Sequence, residues 1–114
     1  MNIPDKVKIG WREYKINQGE HRSGRDGGDL YGEIQYEEQT IYLYDKQSED
    51  NKKATLLHEI IHGIFFVSGH HEWRENEELI ECLTENLYQV IKDNPSLFAG
   101  GENIEEETNK GRNA

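Results

Sequence analysis

The sequence has little cysteine, little positive charge and no long apolar run. Its single cysteine, Cys82, excludes a disulfide within the chain and favours a reducing compartment. There are 23 acidic residues against 13 basic ones, and a net charge of -10 disfavours nucleic acid and anionic lipid as partners. The N-terminal residues also lack the apolar stretch of a signal peptide. We therefore expect a cytoplasmic protein without nucleic-acid or membrane partners.

The length of 114 residues suits one domain with a modest core. Residues 98–114 contain few apolar side chains and a run of glutamates, a composition that cannot offset the entropy lost on ordering. The sequence therefore predicts a domain over residues 1–97 and a disordered acidic tail over 98–114.

The first half of the chain carries strand patterns. Alternating apolar residues over 6–16 predict a strand or hairpin, and segments 30–36 and 40–44 predict two more strands. The polar, glycine-rich segment 17–29 predicts a long loop, and no Gly-Lys-Ser/Thr follows it to suggest phosphate binding. We expect these strands to form a small antiparallel sheet.

Two helices are expected in the second half. Ser48 followed by Glu49 and Asp50 is typical of a helix start, and apolar residues at helical spacing continue towards Gly69, a suitable C-terminal glycine. A second amphipathic helix is predicted over 75–92, ended by Asn94-Pro95. The predicted fold class is therefore α+β.

The first helix contains the motif LHEIIHG, residues 57–63, in the most apolar part of the chain. Residues four apart share one helix face, so the imidazoles of His58 and His62 can converge on a zinc ion. Glu59 lies one position on, where it can act as a general base rather than as a ligand. Gly63 weakens a helix by about 1 kcal/mol relative to alanine, which supports a functional interpretation of the motif.

A catalytic zinc site needs a third protein ligand and an open position. The second helix offers several glutamates, and we select Glu81 because it lies mid-helix beside apolar positions. Glu77 and Glu78 are the alternatives. Glu85, one turn further on, is a candidate to accept a hydrogen bond from a zinc-binding histidine and so fix its ring.

Two further histidines compete for the third position. An elongated motif with a third histidine requires glycine and histidine where this chain has Phe65 and Ser68. His70 and His71 do not match that spacing. We expect both to lie in the turn between the helices, exposed or near the rim of the cleft.

The segments LLHEIIHGIFF and ENEELIECLTENLYQVIKDNP, after a strand region, resemble the small zincin-type metallopeptidases of the ImmA/IrrE group. The resemblance covers residues 30–97 and extends to short members encoded by phages and mobile elements. It implies a minimal zincin-like domain in which His58, His62 and Glu81 bind zinc and Glu59 acts as the base. It also implies a regulatory protein as substrate, in a bacterial or phage-infected cell.

The predicted function is therefore a zinc-dependent metallo-endopeptidase acting on a protein or peptide substrate. The strand over Thr40 to Tyr44 is the candidate for binding an extended peptide by edge pairing. The alternative is a non-catalytic zinc-binding interaction module or phage regulatory factor, which needs ligands but not the base Glu59. A DNA-associated protease of the SprT kind is disfavoured by the acidity of the chain.

Overall fold

The computed structural model describes residues 2–98, which form an α+β fold. A four-stranded sheet and a two-stranded hairpin precede the helices. The strands are β1 (Lys6–Ile9), β2 (Arg12–Gly19), β3 (Arg22–Ser23), β4 (Asp29–Leu30), β5 (Gly32–Gln35) and β6 (Thr40–Tyr44). The helices are α1 (Glu49–Val67), α2 (His71–Arg74) and α3 (Glu77–Asp93), followed by a short 3-10 helix (Pro95–Phe98).

The main sheet is mixed, so the prediction of an antiparallel sheet is wrong. Its strand order is β1-β2-β6-β5; the β1–β2 and β5–β6 pairs are antiparallel, and β2 and β6 are parallel. Ile41 of β6 lies between Ile16 of β2 and Ile34 of β5. Apolar alternation indicates which face of a strand is buried, but it does not indicate which strand lies beside it.

The segment predicted as a loop, 17–29, is a loop only in part, because it contains the end of β2, strand β3 and the start of β4, and β3 and β4 form a short arm. Strand β2 continues to Gly19, and β3 and β4 form a short hairpin in which Arg22 faces Leu30. The Arg22 guanidinium lies 2.8 Å from Glu33 and 3.8 Å from the centre of the Tyr42 ring, which attaches the arm to the main sheet. Strands can pair through main-chain hydrogen bonds without apolar side chains. The polar, glycine-rich composition of this segment therefore did not predict its strands.

Helix α1 has the predicted ends. The Ser48 side chain accepts a hydrogen bond from the Asn51 backbone N–H, and Gly69 follows the helix with a φ of 77°. The buried face of α1 packs on the sheet, where Leu56 joins the core. The core residues of this cluster are Ile9, Tyr14, Ile34, Ile41, Leu43 and Leu56.

Gly63 has a packing role at this contact. A Cβ at position 63 would lie 2.9 Å from Ile9 Cδ1 and 3.2 Å from Ile34 Cδ1. A larger residue would therefore require the ends of the Ile9 and Ile34 side chains to shift within the core. The presence of glycine at position 63 is therefore explained by packing. The sequence had suggested instead that this glycine supports a functional role of the motif.

Helix α3 runs antiparallel to α1 and begins two residues later than predicted, after Asn76, whose side chain accepts from Leu79 N–H. At the far end, Asp50 of α1 accepts from the Tyr88 hydroxyl at 2.7 Å and pairs with Lys92 at 3.1 Å. These contacts, the Tyr88 bond first, lower the pKa of Asp50. These contacts therefore connect α1 and α3 at the solvent-exposed surface.

The predicted tail lies outside the described residues, apart from Phe98, which ends the 3-10 helix and is exposed. Among residues 2–98, no helix combines the length and apolar character needed to cross a membrane.

Candidate metal centre

The two histidines of the motif converge as their spacing predicts. Both lie on α1 with mostly buried side chains, 16% exposed for His58 and 13% for His62. Their Nε2 atoms are 3.3 Å apart. One turn of helix between them places both nitrogens on the same side, facing α3.

Glu77, in the first turn of α3, completes a group of three donors. Its carboxylate oxygens lie 3.3 Å from His58 Nε2 and 3.1 Å from His62 Nε2. Zinc–nitrogen bonds of about 2.0–2.1 Å at tetrahedral angles separate two donors by about 3.3–3.4 Å. His58, His62 and Glu77 therefore fit a metal ion of this size, and they form a group that could hold one.

Glu81 lies on the other side of the His58 ring. Its carboxylate is 2.5 Å from His58 Nδ1, where it can accept a ring N–H, and the tautomer that carries this N–H offers the Nε2 lone pair to a metal. This is the orienting contact that the sequence analysis assigned to Glu85. Glu81 is therefore placed as the partner of a ligand, and the geometry favours Glu77 as the third ligand.

Glu77 lies one helical turn before Glu81, the ligand predicted from the sequence. This difference follows from the way in which the chain reverses between α1 and α3. The short helix α2 takes up part of the connection, so α3 starts opposite the motif and its first turn faces the histidines. Among the other candidates, Glu78 is exposed and outside the donor group. Glu85 lines a neighbouring cavity with His58 and makes no hydrogen bond to it among the described residues.

His70 and His71 are exposed at the start of α2, as expected, and are not part of the donor group. The His70 ring stacks on Trp73 with ring centres 3.7 Å apart. His71 Nδ1 lies 2.6 Å from Arg74 Nη2. Both histidines therefore have local roles in α2.

His62 is suited to ligation by its surroundings. Burial, and secondarily the neighbouring His58, lower its pKa, although Glu77 opposes the effect. The backbone of Arg74 also hydrogen-bonds the His62 ring. A histidine with a lowered pKa is neutral near pH 7 and can offer a nitrogen lone pair to a metal.

Glu59 lies beside the donor group and not within it. Its side chain is 7% exposed, and it lines the same cavity as His58, His62 and Glu77. Burial first, then the Glu77 and Glu33 carboxylates, raise the pKa of Glu59 to about 8. A carboxyl group with a raised pKa next to a cluster of donors is a candidate for proton transfer.

Strand β5 borders this cavity of about 380 Å³ through Gly32, Glu33 and Ile34. Gly32 allows the close approach: a Cβ there would lie 2.4 Å from Thr55 Cγ2 and 3.4 Å from Glu59 Oε2. The backbone of Ile34 hydrogen-bonds the Glu59 carboxylate. The backbone of β5 therefore passes directly over the motif.

The strand proposed from the sequence for peptide binding, Thr40–Tyr44, is placed differently from expectation. It is β6, and it has β2 on one side and β5 on the other, so its backbone groups are already paired. The outer strand on this side of the sheet is β5. Edge pairing near the donor group would therefore involve Gly32–Gln35.

Two residues that the sequence analysis did not consider also line the cavity, Tyr36 and Arg74. Burial, and then the Glu59 charge among the raising effects, raise the pKa of Tyr36, although Arg74 opposes them. Neither residue stands in a motif, and only the folding of β5 and α2 around α1 brings them to the histidines.

Comparison of the chain with protein-family models, with curated proteins and with solved structures found no match. The donor group and its cavity are therefore the basis of the functional proposal.

Proposed function

We propose that this protein is a zinc-dependent metallopeptidase that hydrolyses a protein or peptide substrate. The observation that carries the proposal is the donor group of His58, His62 and Glu77 with Glu59 in the same cavity. Two imidazoles and one carboxylate leave a tetrahedral zinc one open position, as catalytic zinc sites require. In this proposal the third zinc ligand is Glu77 of α3, and Glu81 of the same helix orients the His58 ring.

Bound zinc would act as a Lewis acid on a carbonyl group and lower the pKa of a water molecule. The carboxylate of Glu59 accepts a proton from the attacking water and donates it to the leaving amine. Glu59 would be held in its ionised form by the positive charge of a bound cation, against the burial that raises its pKa. Glu81 and the backbone of Arg74 hold the two imidazole rings in place.

The substrate class follows from the position of β5. An extended peptide that pairs with the outer edge of Gly32–Gln35 would run along the cavity beside the motif. Main-chain hydrogen bonds would fix its register without reading its sequence, and side-chain pockets would supply selectivity. A second cavity of about 430 Å³ lies on the other side of His58, so a peptide has room on both sides of the donor group.

The ImmA/IrrE resemblance, the zincin-like fold, a regulatory protein as substrate and a cytoplasmic location stay predictions. The alternative of a non-catalytic zinc module needs no base. The burial of Glu59 in the cavity, with its raised pKa, favours the enzyme.

Metal analysis combined with a cleavage screen tests the proposal. Purified protein should contain about one zinc per chain, and both His58→Ala and His62→Ala should lose most of it. Glu59→Gln should retain the metal while losing cleavage of substrates found in a proteome-wide screen with the wild type. Glu78→Gln, an exposed change on α3, is the control and should behave as the wild type. Full metal retention in both histidine variants would contradict the proposal.

A further inference from the structure

The cavity of about 430 Å³ on the other side of His58 lies between α1 and α3. Residues of both helices line it together with His58, and the same histidine lines the cavity of the donor group. We call this space the α1–α3 cavity. The chemistry proposed above does not use it, so it can hold a part of the substrate that does not react.

Small side chains leave the space between the two helices. Ala54 and Thr55 of α1 and Thr84 of α3 line the cavity, and Thr84 is only 4% exposed. The hydroxyls of both threonines are already used, since Thr84 donates to the Ile80 carbonyl and Thr55 donates to Gln47. This part of the lining therefore has few hydrogen bonds left to offer, which suits the aliphatic part of a side chain.

Two carboxylates of α3, one turn apart, line the same cavity. Glu81 has one oxygen on His58 Nδ1, and its other oxygen has no partner among residues 2–98. Glu85 makes no ion pair or hydrogen bond within this part of the chain. No lysine or arginine of the described residues lines the cavity. Its polar side is therefore negatively charged and without a cation of its own.

Two tyrosine rings complete the lining, those of Tyr31 and Tyr88. Tyr31 packs edge-on against Tyr44, with ring centres 5.8 Å apart. Tyr88 donates its hydroxyl to Asp50, which also pairs with Lys92 and balances the charge of that lysine. Both rings are therefore held by other contacts, and an aromatic face can attract a cation as well as an apolar stem.

We propose that the α1–α3 cavity receives a lysine or arginine side chain of the substrate. Such a side chain buries its aliphatic stem along apolar surface and keeps its charged end near water. Here the stem would lie beside the small residues of the two helices, and the charged end would reach the unpaired carboxylate oxygens of Glu81 and Glu85. Glutamates on a helix are ordinarily a solvated surface, and it is the cavity next to the donor group that distinguishes these two.

The edge strand leads towards this cavity. Tyr31 stands directly before Gly32, the first residue of β5, and it lines the α1–α3 cavity, whereas Gly32 lines the cavity of the donor group. A peptide paired with β5 would therefore run past both cavities, with His58 between them. The inference rests on the proposed peptidase function and adds a substrate class to it, namely peptides with a basic residue close to the cleaved bond.

Hydroxamates test the cavity without a known substrate, because a hydroxamate binds zinc through its oxygens. Nα-acetyl-lysine hydroxamate and Nα-acetyl-norleucine hydroxamate differ only in the ammonium group, and the arginine analogue separates lysine from arginine. Each probe is titrated calorimetrically into the full-length zinc-loaded protein. The wild type should bind the better of the two basic probes about fivefold more tightly than the norleucine probe, as expected for an ion pair partly screened by solvent.

Variants of the two helices locate the effect, with zinc content and melting temperature measured for each. Glu85→Gln should reduce the preference for a basic probe to about twofold or less. Glu78→Gln is the matched control, since it removes the same charge from the same helix outside both cavities, and it should keep the preference. Ala54→Leu should weaken the binding of all probes by about fivefold or more, because the larger side chain occupies the cavity.

Equal binding of the basic and norleucine probes by the wild type would overturn the assignment. So would a preference that Glu85→Gln leaves unchanged, unchanged probe binding in a folded Ala54→Leu, or an equal loss in Glu78→Gln, since the effect would then be one of general charge. A wild type that holds no zinc would contradict the peptidase proposal and this assignment with it.

The two proposals can also fail separately. If the preference depends on Glu85 and no peptide is cleaved in a screen, the assignment of the α1–α3 cavity stands and the peptidase proposal fails. If peptides are cleaved only at bonds without a basic residue nearby, the peptidase proposal stands and the assignment of the cavity fails.

Discussion

Replacing Glu59 with glutamine should stabilise the metal-free protein at alkaline pH. In the folded chain, burial and neighbouring carboxylates raise the pKa of Glu59 to about 8, against 4.5 for an ordinary glutamate. Between these two values the folded state binds more protons than the unfolded state. The free energy of unfolding therefore falls as the pH rises through this range, and glutamine removes that dependence.

The magnitude follows from the size of the shift. Each pKa unit corresponds to about 1.4 kcal/mol, so the full effect of Glu59 above pH 8 is about 4–5 kcal/mol. Between about pH 5 and about pH 8 the wild type should lose about 3 kcal/mol relative to Glu59→Gln. The lowered pKa of His62 acts in the opposite direction, with stability lost as the pH falls, but it is common to both proteins and cancels in the difference.

Urea unfolding of chelator-treated wild type and Glu59→Gln, at a series of pH values, measures this difference directly. Glu78→Gln removes an exposed carboxylate from α3 and serves as the control for a change in net charge. Added zinc should reduce the gap, because a bound cation stabilises the ionised carboxylate. Parallel pH profiles for the wild type and Glu59→Gln would refute the account of a buried, protonated Glu59.

Three further outcomes are expected. Glu77→Ala should release the metal, whereas Glu81→Gln should weaken zinc affinity by about 10–100-fold through the loss of ring orientation, as measured by competition with a chromogenic chelator. Gly63→Ala should lower the free energy of unfolding by about 1–3 kcal/mol in urea titrations, because its Cβ meets Ile9 Cδ1 at 2.9 Å despite a better helix propensity. Asp50→Asn should lower the pKa of Tyr88 from about 12, since the carboxylate adds to the effect of burial, and ultraviolet titration of the phenol would show it.

The parts of the site that lie on one helix were predictable from the sequence. His58 and His62 are four residues apart, and helical geometry alone brings their Nε2 atoms together. The position of Glu59 beside them follows from the same geometry. Both ends of α1 were also predictable, because Ser48 and Gly69 act through local backbone chemistry.

The parts that depend on two elements were harder to predict. Glu77 and Glu81 share one face of α3, so periodicity could not show which of them meets the histidines. That choice depends on where α3 starts relative to α1, and α2 shifts the start by using residues of the connection. The parallel pairing of β2 with β6 is likewise a tertiary property. Because of this pairing, Thr40–Tyr44 lies inside the sheet and β5 is the edge strand.

The close spacing of the three donors along the chain has a consequence for folding order. His58 and Glu77 are 19 positions apart, so the helical segment that contains the donor group closes only a short loop. The contact of Gly63 with Ile9 joins residues 54 positions apart and needs the sheet as well. Contacts of short separation form earlier, since less chain entropy is lost. We therefore expect α1 and α3 to form a helical hairpin that can bind the metal before the sheet packs against α1. Zinc present during refolding should then accelerate folding.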